Sequence, residues 1–177
     1  MLRYGERPSH IQECAGETIV VFKHFKNMDF ANNGRDHLKI SPDFSSEVNI
    51  MKLLASEKTS HHFFNIPLAV YVGTDRIGLL MEFYPQGDLR LMLSRTQDHT
   101  KAQRMQWCSD LITIGSHLRS ASIMHRDIKP ANICIRPGNN NLSSLILIDF
   151  GKGICGSDIE LPKLYKMVAK LYRAPEL

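Results

Sequence analysis

His125-Arg126-Asp127-Ile128-Lys129-Pro130-Ala131-Asn132 is followed, seventeen positions after its Asn, by Asp149-Phe150-Gly151. Either motif alone is a common accident, whereas both in this order and at this spacing are not. Between them lie two short apolar runs, Ile133-Cys134-Ile135 and Leu145-Ile146-Leu147-Ile148, around the loop Pro137-Gly138-Asn139-Asn140-Asn141. Runs of this length, bounded by Pro, Gly and Asn, predict a strand pair that brings Asn132 and Asp149 to one place. Upstream, residues 101 to 122 repeat apolar groups at Trp107, Cys108, Leu111, Ile112, Gly115 and Leu118. That helical stripe predicts a helix packed under the His125–Asn132 loop.

Farther toward the N-terminus, Thr18-Ile19-Val20-Val21-Phe22-Lys23 is a β-branched and aromatic run that predicts a strand ending on a lysine. Ser41-Pro42-Asp43 has the composition of a helix start: Ser as N-cap, Pro at the first helical position and an acid in the first turn. Phe44, Val48, Met51 and Leu54 then recur at helical spacing, and Glu47, four residues before Met51, falls on nearly the same face. Leu68–Val72 and Ile77–Glu82 flank Gly73-Thr74-Asp75-Arg76 as a hairpin. Taken alone, Lys23 and Glu47 read as solvated surface charges.

Together these segments resemble the eukaryotic protein kinases of serine/threonine type. The resemblance runs from about Gly5 to Leu177 and is specific from Lys23 onward. It implies an α+β, bilobal protein-kinase-like fold, with a small β-rich N-lobe over residues 1–84 and an incomplete helical C-lobe over 85–177. The division falls at a hinge near residues 83 to 86. It also implies ATP and Mg2+ as cofactors and a protein substrate whose Ser or Thr hydroxyl receives the γ-phosphoryl group. In that pattern Asp127 takes the hydroxyl proton, Lys129 steadies the transferring phosphate, and Asn132 and Asp149 hold magnesium. An Asp, an Asn and nucleotide oxygens suit a hard divalent cation. Lys23 grips the α- and β-phosphates and pairs with Glu47, an ion pair that active members of the family need formed.

Met81 falls at the family's gatekeeper position, Glu82-Phe83-Tyr84 resembles the hinge whose backbone binds adenine, and Gly87-Asp88-Leu89 resembles the start of the next helix. Two readings stand for Phe83 and Tyr84, hinge recognition and plain packing. Cys134 falls near the adenine floor; nucleotide contact and buried packing are both open to it. Tyr172-Arg173-Ala174-Pro175-Glu176-Leu177 resembles the close of the activation segment, with wording nearest to cyclin-dependent-type kinases. Any regulatory subunit stays unknown. Arg126 marks kinases in which an activation-loop phosphate is gathered. Yet Ser157 and Tyr165, the only hydroxyl residues between Gly151 and Tyr172, do not sit at the usual phosphothreonine position.

Three departures qualify the resemblance. Only Gly5 and Gly16 precede Lys23, so a degenerate phosphate loop over Tyr4–Ile11 is expected to position ATP less well. Ala169 stands where a Thr or Ser commonly bonds the catalytic Asp and Lys, a hydrogen bond to charged groups worth ~1.5–3 kcal/mol. The family's C-lobe continues past Ala-Pro-Glu, so Glu176 is expected to lack its Arg partner and the 101–122 helix part of its cover. These features keep open a second function, a pseudokinase-like module that binds nucleotide or a partner without turnover. A small-molecule or lipid kinase shares the metal logic, but the His-Arg-Asp-x-Lys-Pro-x-Asn wording favours protein substrates.

With 43% hydrophobic and 23% charged residues the composition is that of a globular chain. A dispersed formal charge of +4 points to no nucleic-acid partner. Cys14, Cys108, Cys134 and Cys155 show neither metal spacing nor a disulfide framework, and His61-His62 beside Phe63-Phe64 reads as loop and packing. No apolar stretch reaches membrane-span length and the N-terminus lacks a signal-peptide core, so no membrane association and an intracellular location are expected.

Overall fold

The computed structural model describes residues 11–13, 19–25, 42–56, 62–72, 77–95, 99–138 and 142–156. The β-rich run Ile19–Phe25 (β2) lies between β1 (Ile11–Glu13) and β4 (Ile77–Glu82), and β3 (Ala69–Val72) pairs with the other edge of β4. All three pairings are antiparallel. The strand expected to end on Lys23 continues to Phe25, opposite Ile77, so Lys23 sits in mid-ladder opposite Leu79. Phe25 is held there by an edge-to-face contact with Phe44 at 5.0 Å. At Gly78 of the same strand pair a Cβ would lie 2.1 Å from the tip of the Phe22 ring, which would have to move aside.

Helix α1 (Pro42–Ser56) buries Phe44, Glu47, Ile50, Met51 and Leu54. The periodicity predicted this face except for Ile50, and Val48 is only half buried. Spacings of three and four residues place the Glu47 carboxylate in the middle of the apolar stripe. After β4 the chain turns, Gly87 N–H donating to Tyr84 O at 3.0 Å with Gly87 at φ +79°. The short helix α2 (Leu89–Ser94) then starts on Asp88, whose Oδ1 accepts from Leu91 N–H at 2.8 Å.

Helix α3 (Lys101–Ser120), capped by Thr100, leads into β5 (Ile123–Met124), which pairs with β8 (Ile154–Cys155). β6 (Ile133–Pro137) pairs with β7 (Ser143–Leu147), beginning after a 3₁₀ turn at Pro130–Asn132. Ile148, expected inside the second strand, lies one residue beyond it, although its N–H still donates across to Asn132 O at 2.9 Å.

The apolar stripe expected on α3 holds only at Trp107 and Leu118. Cys108, Leu111, Ile112 and Gly115 face outward, Ile112 being 71% exposed, while Gln103, Asp110 and Ile114 are buried instead. The reason lies in the outer edge of β7, which among the described residues has a main-chain partner only at Leu147, bonded to Phe63 O and Asn65 N–H. Gln103 donates to Ser143 O at 2.9 Å and accepts from Ser143 N–H at 2.8 Å, and Asp110 Oδ2 accepts from Leu145 N–H at 2.9 Å. The helix is turned so that two polar side chains satisfy that edge.

One core cluster runs from Phe44, Ile50 and Leu79 of the N-lobe to Trp107, Ile133 and Phe150 of the C-lobe. Phe64 and Phe150, both fully buried, meet edge to face at 5.9 Å, each ring contributing about 1.5–3 kcal/mol by burial. The architecture is therefore the α+β bilobal one expected, a β-rich lobe with one helix followed by helices and two strand pairs. Gly5, Gly16, Ser41, His61, the turn 73–76, residues 139–141, Ser157, Tyr165, Ala169 and residues 172–177, singled out in the sequence, lie outside the described residues. Among the described residues no helix is long and apolar enough to cross a membrane.

Candidate active site

The loop between β5 and β6 is organised by His125. Asp127 N–H donates to its Nδ1 at 3.2 Å, which makes Nδ1 the acceptor, and Nε2–H donates to Ile148 O at 3.0 Å. Both bonds together require the neutral ring. Burial holds His125 below the ordinary histidine pKa, against the opposing pull of the Ile148 carbonyl and the nearby carboxylates. Arg126 takes a left-handed backbone at φ +62°, rare for a residue with a Cβ, and its Nε donates to Lys152 O at 2.5 Å. That turn swings the next side chain, Asp127, into a buried position at 4% exposure.

The two oxygens of Asp127 are not equivalent. Oδ2 accepts from Lys129 Nζ at 2.7 Å, from Asn132 Nδ2 at 3.1 Å and from Lys152 Nζ at 3.2 Å. Oδ1 is buried and accepts from no described residue. A buried carboxylate oxygen without a donor is costly unless something binds it, which marks this atom as a candidate proton acceptor. Burial opposes the charge, but Lys129 and Lys152 outweigh it and hold Asp127 below the ordinary aspartate pKa.

Lys23 and Glu47 meet as expected. Lys23 Nζ lies 2.7 and 2.8 Å from the two Glu47 oxygens and 2.8 Å from Asp149 Oδ1. Burial works against the lysine's charge, yet the two carboxylates outweigh it and raise Lys23 above its ordinary pKa. Burial pushes Glu47 the other way, toward its neutral form, aided by Asp149 and opposed by Lys23. With both Glu47 oxygens on one ammonium, the ion pair is the state the geometry favours. Asp149 also has a left-handed backbone, φ +65°. Burial raises its carboxyl pKa, but Lys23 and the Gly151 N–H outweigh that and lower it.

Asn132 and Asp149 are brought to one end of the β6–β7 pair through the Ile148 N–H bond to Asn132 O. Among the described residues no cluster of three or more His, Cys, Asp or Glu could hold a metal ion by itself. Magnesium does not ask for one: an oxygen-only set completed by phosphates suffices. Asn132 spends its NH2 on Asp127 O and Oδ2, which leaves its amide oxygen for a cation, and the Asp149 side chain is 37% exposed. The donor chemistry fits.

At the hinge Met81 is buried, and the side chains of Glu82 and Tyr84 are already engaged. Arg136 Nη2 donates to Glu82 Oε2 at 2.8 Å and to Tyr84 Oη at 3.0 Å, and Tyr84 Oη–H donates to Glu82 Oε2 at 3.1 Å. Burial raises the Tyr84 phenol above its ordinary pKa. Tyr84 packs with Cys134, Ile146 and Ile148 in a second buried cluster, so both Tyr84 and Cys134 serve as packing here whatever else they touch. Any adenine contact from Glu82 and Tyr84 falls to backbone groups. Asn65 Nδ2 reaches Glu82 O at 3.2 Å, which leaves that carbonyl a second lone pair.

Arg136, Lys152, Asn65 and the bonds of His125 were not foreseen. Arg136 had a signal: it lies two residues from Cys134 on one strand and so on the same face. Lys152 had none, since a lysine after a motif ordinarily belongs to the solvated surface.

The family model for the protein kinase domain matches residues 10–177. The chain is 27% identical over 137 residues to calcium-dependent protein kinase 12 of Oryza sativa subsp. japonica, covering 76% of this chain and 24% of that protein. It is 30% identical over 140 residues to serine/threonine-protein kinase D of Synechocystis sp., covering 78% and 25%. The chain thus spans about a quarter of the length of these two curated relatives. Among solved structures, the yeast RNA Pol II CTD kinase CTDK-1 complex matches with a TM-score of 0.61 at 19% identity, over 80% of this chain and 41% of that one, a likeness of fold.

Proposed function

The chain belongs to the protein kinase family, and on that premise we propose that it is a serine/threonine protein kinase that binds ATP with magnesium and phosphorylates protein hydroxyls. The observation that carries the reading is the asymmetry of Asp127: Oδ2 is held by three donors while Oδ1 is buried with no donor among the described residues. In this reading Oδ1 accepts the proton of a substrate Ser or Thr hydroxyl as its oxygen bonds to the γ-phosphorus; the bond from that phosphorus to the β,γ-bridging oxygen breaks and ADP leaves. Lys129, 2.7 Å from Asp127, can turn to the transferring group without leaving the site. Lys23, held by Glu47 and Asp149, presents its ammonium to the α- and β-phosphates. Asn132 and Asp149 would hold magnesium, which when bound neutralises phosphate charge.

The test is ATP binding by calorimetry, followed by γ-phosphoryl transfer to a mixed Ser/Thr peptide pool. Asp127→Asn is expected to keep nucleotide affinity within about threefold while transfer falls by at least ~10²-fold, the scale of positioned general-base catalysis. Binding with no transfer, indifferent to Asp127→Asn, would instead identify a nucleotide-binding module without turnover.

A further inference from the structure

Lys152 has no place in the chemistry assigned above, yet its ammonium lies on the carboxylate at the centre of it, 3.2 Å from Asp127 Oδ2. The same oxygen already has Lys129 at 2.7 Å and the neutral amide of Asn132 at 3.1 Å. One ammonium would suffice if the carboxylate only had to stay charged. The second becomes necessary once Lys129 turns toward a phosphate, because Oδ2 is then left with a single long bond from a neutral donor. The terminal torsion of an aspartate is soft and nearly two-fold, so a poorly held carboxylate can exchange its oxygens or swing away. Oδ1 would then lose its fixed direction.

Lys152 is built to remain. Its carbonyl accepts from Arg126 Nε at 2.5 Å, and the turn beside it is closed by Gly153 N–H donating to Phe150 O at 2.8 Å. Gly153 O in turn accepts from Ser46 Oγ of α1 at 2.8 Å. The main chain on either side of Lys152 is thus tied both to the loop that carries Asp127 and to the helix that carries Glu47. We propose that Lys152 is a positioning residue for Asp127, holding Oδ2 while Lys129 engages the transferring phosphate so that Oδ1 keeps its aim on the acceptor hydroxyl. This inference rests on the kinase reading.

The experiment uses the full chain as wild type, Lys152→Met, Lys152→Arg and Asp127→Asn. Two readouts are taken: steady-state transfer from ATP to the mixed peptide pool, and acetylation of each lysine by an amine-reactive N-hydroxysuccinimide ester without nucleotide, quantified by peptide mass spectrometry. Because the Lys152 side chain is 42% exposed and partly screened, its loss is set at the low end for a hydrogen bond to a charged group. Lys152→Met should lower kcat roughly five- to thirtyfold with KM for ATP within about twofold, and Lys152→Arg should recover most of it. Lys152 should be acetylated several times faster in Asp127→Asn than in wild type. An unchanged or higher kcat in Lys152→Met overturns the positioning role, as does acetylation of Lys152 indifferent to Asp127→Asn while wild type transfers phosphate. Wild type that transfers nothing, with Lys152 still protected, overturns the kinase reading and this inference with it. The acetylation and Lys152→Arg results decide the matter even where Lys152→Met fails to fold.

Discussion

Lys23→Met and Glu47→Gln remove opposite ends of one ion pair, and the surroundings of that pair make the two losses unequal. Glu47→Gln leaves Lys23 Nζ with Asp149 Oδ1 at 2.8 Å, and the new amide oxygen can still accept from the ammonium. The loss is one charge-assisted hydrogen bond, about 1.5–3 kcal/mol. Lys23→Met leaves Glu47, 0% exposed, beside Asp149 with no cation between them. An uncompensated buried charge costs about 3–5 kcal/mol. The expected gap of about 2 kcal/mol corresponds to roughly 4–8 °C in Tm for a chain of this size. Urea denaturation of both variants and wild type at pH 7.5 and pH 5.5 measures it. Burial already raises Glu47 above its ordinary value of 4.5, and removing Lys23 strengthens that push. The folded variant then binds more protons than its unfolded chain between pH 4.5 and the raised pKa, so its stability falls as pH rises through that window. The gap between the two variants should therefore narrow at pH 5.5. Lys23→Met combined with Glu47→Leu should regain most of the stability by replacing the pair with apolar groups, while transfer stays lost. Equal destabilisation by the two single variants, or a gap indifferent to pH, refutes the reasoning.

Two further outcomes follow from the loop and its support. The buried neutral His125 refuses a proton that the unfolded chain accepts, so the unfolded state binds more protons just below pH 6.5 and wild-type stability should fall as pH drops through that window. Urea midpoints at pH 7.5 and pH 5.5 should show this slope reduced by about 1 kcal/mol in His125→Gln. A Cβ on Gly153 would lie 2.5 Å from Ile50 Cδ1 and 3.0 Å from Phe150 O, so Gly153→Ala must push α1 and the Asp149 loop apart. It should cost about 1–3 kcal/mol in thermal unfolding and raise KM for ATP, since Glu47 lies one turn from Ile50.

Elements with a strong local period were legible in the sequence: β2, the β3–β4 hairpin, α1 and the β6–β7 pair. The meeting of Lys23 with Glu47 was legible only through the family resemblance: helical spacing put Glu47 on the apolar face, but taken alone both residues read as solvated surface charges. The backbone of the loops was not legible. Arg126 at φ +62° has no local preference for a left-handed turn, and Asp149 at φ +65° belongs to a type that only occasionally adopts one, so neither turn is announced by the sequence. The side chains of both are held by partners distant in sequence, Arg126 by the Lys152 carbonyl and Asp149 by Lys23.

The misread face of α3 has the same origin, and it bears on the candidate base. Counting apolar side chains favours Cys108, Leu111 and Ile112, but the helix is oriented by the outer edge of β7, which beyond Leu147 has no main-chain partner among the described residues. Gln103 and Asp110 supply partners at Ser143 and Leu145. β7 so fixed delivers Ile148, whose carbonyl accepts from His125 and whose N–H holds Asn132 O. His125 and Asn132 in turn hold the backbone and Oδ2 of Asp127. A continuous run of bonds therefore links two polar residues of a helix to the carboxylate that the sequence motif singled out. Most of these links join a side chain to a backbone group distant in sequence, which is why period and composition are blind to them. The motif singles out the candidate groups, and these polar contacts between elements leave Asp127 with one oxygen that no described residue engages.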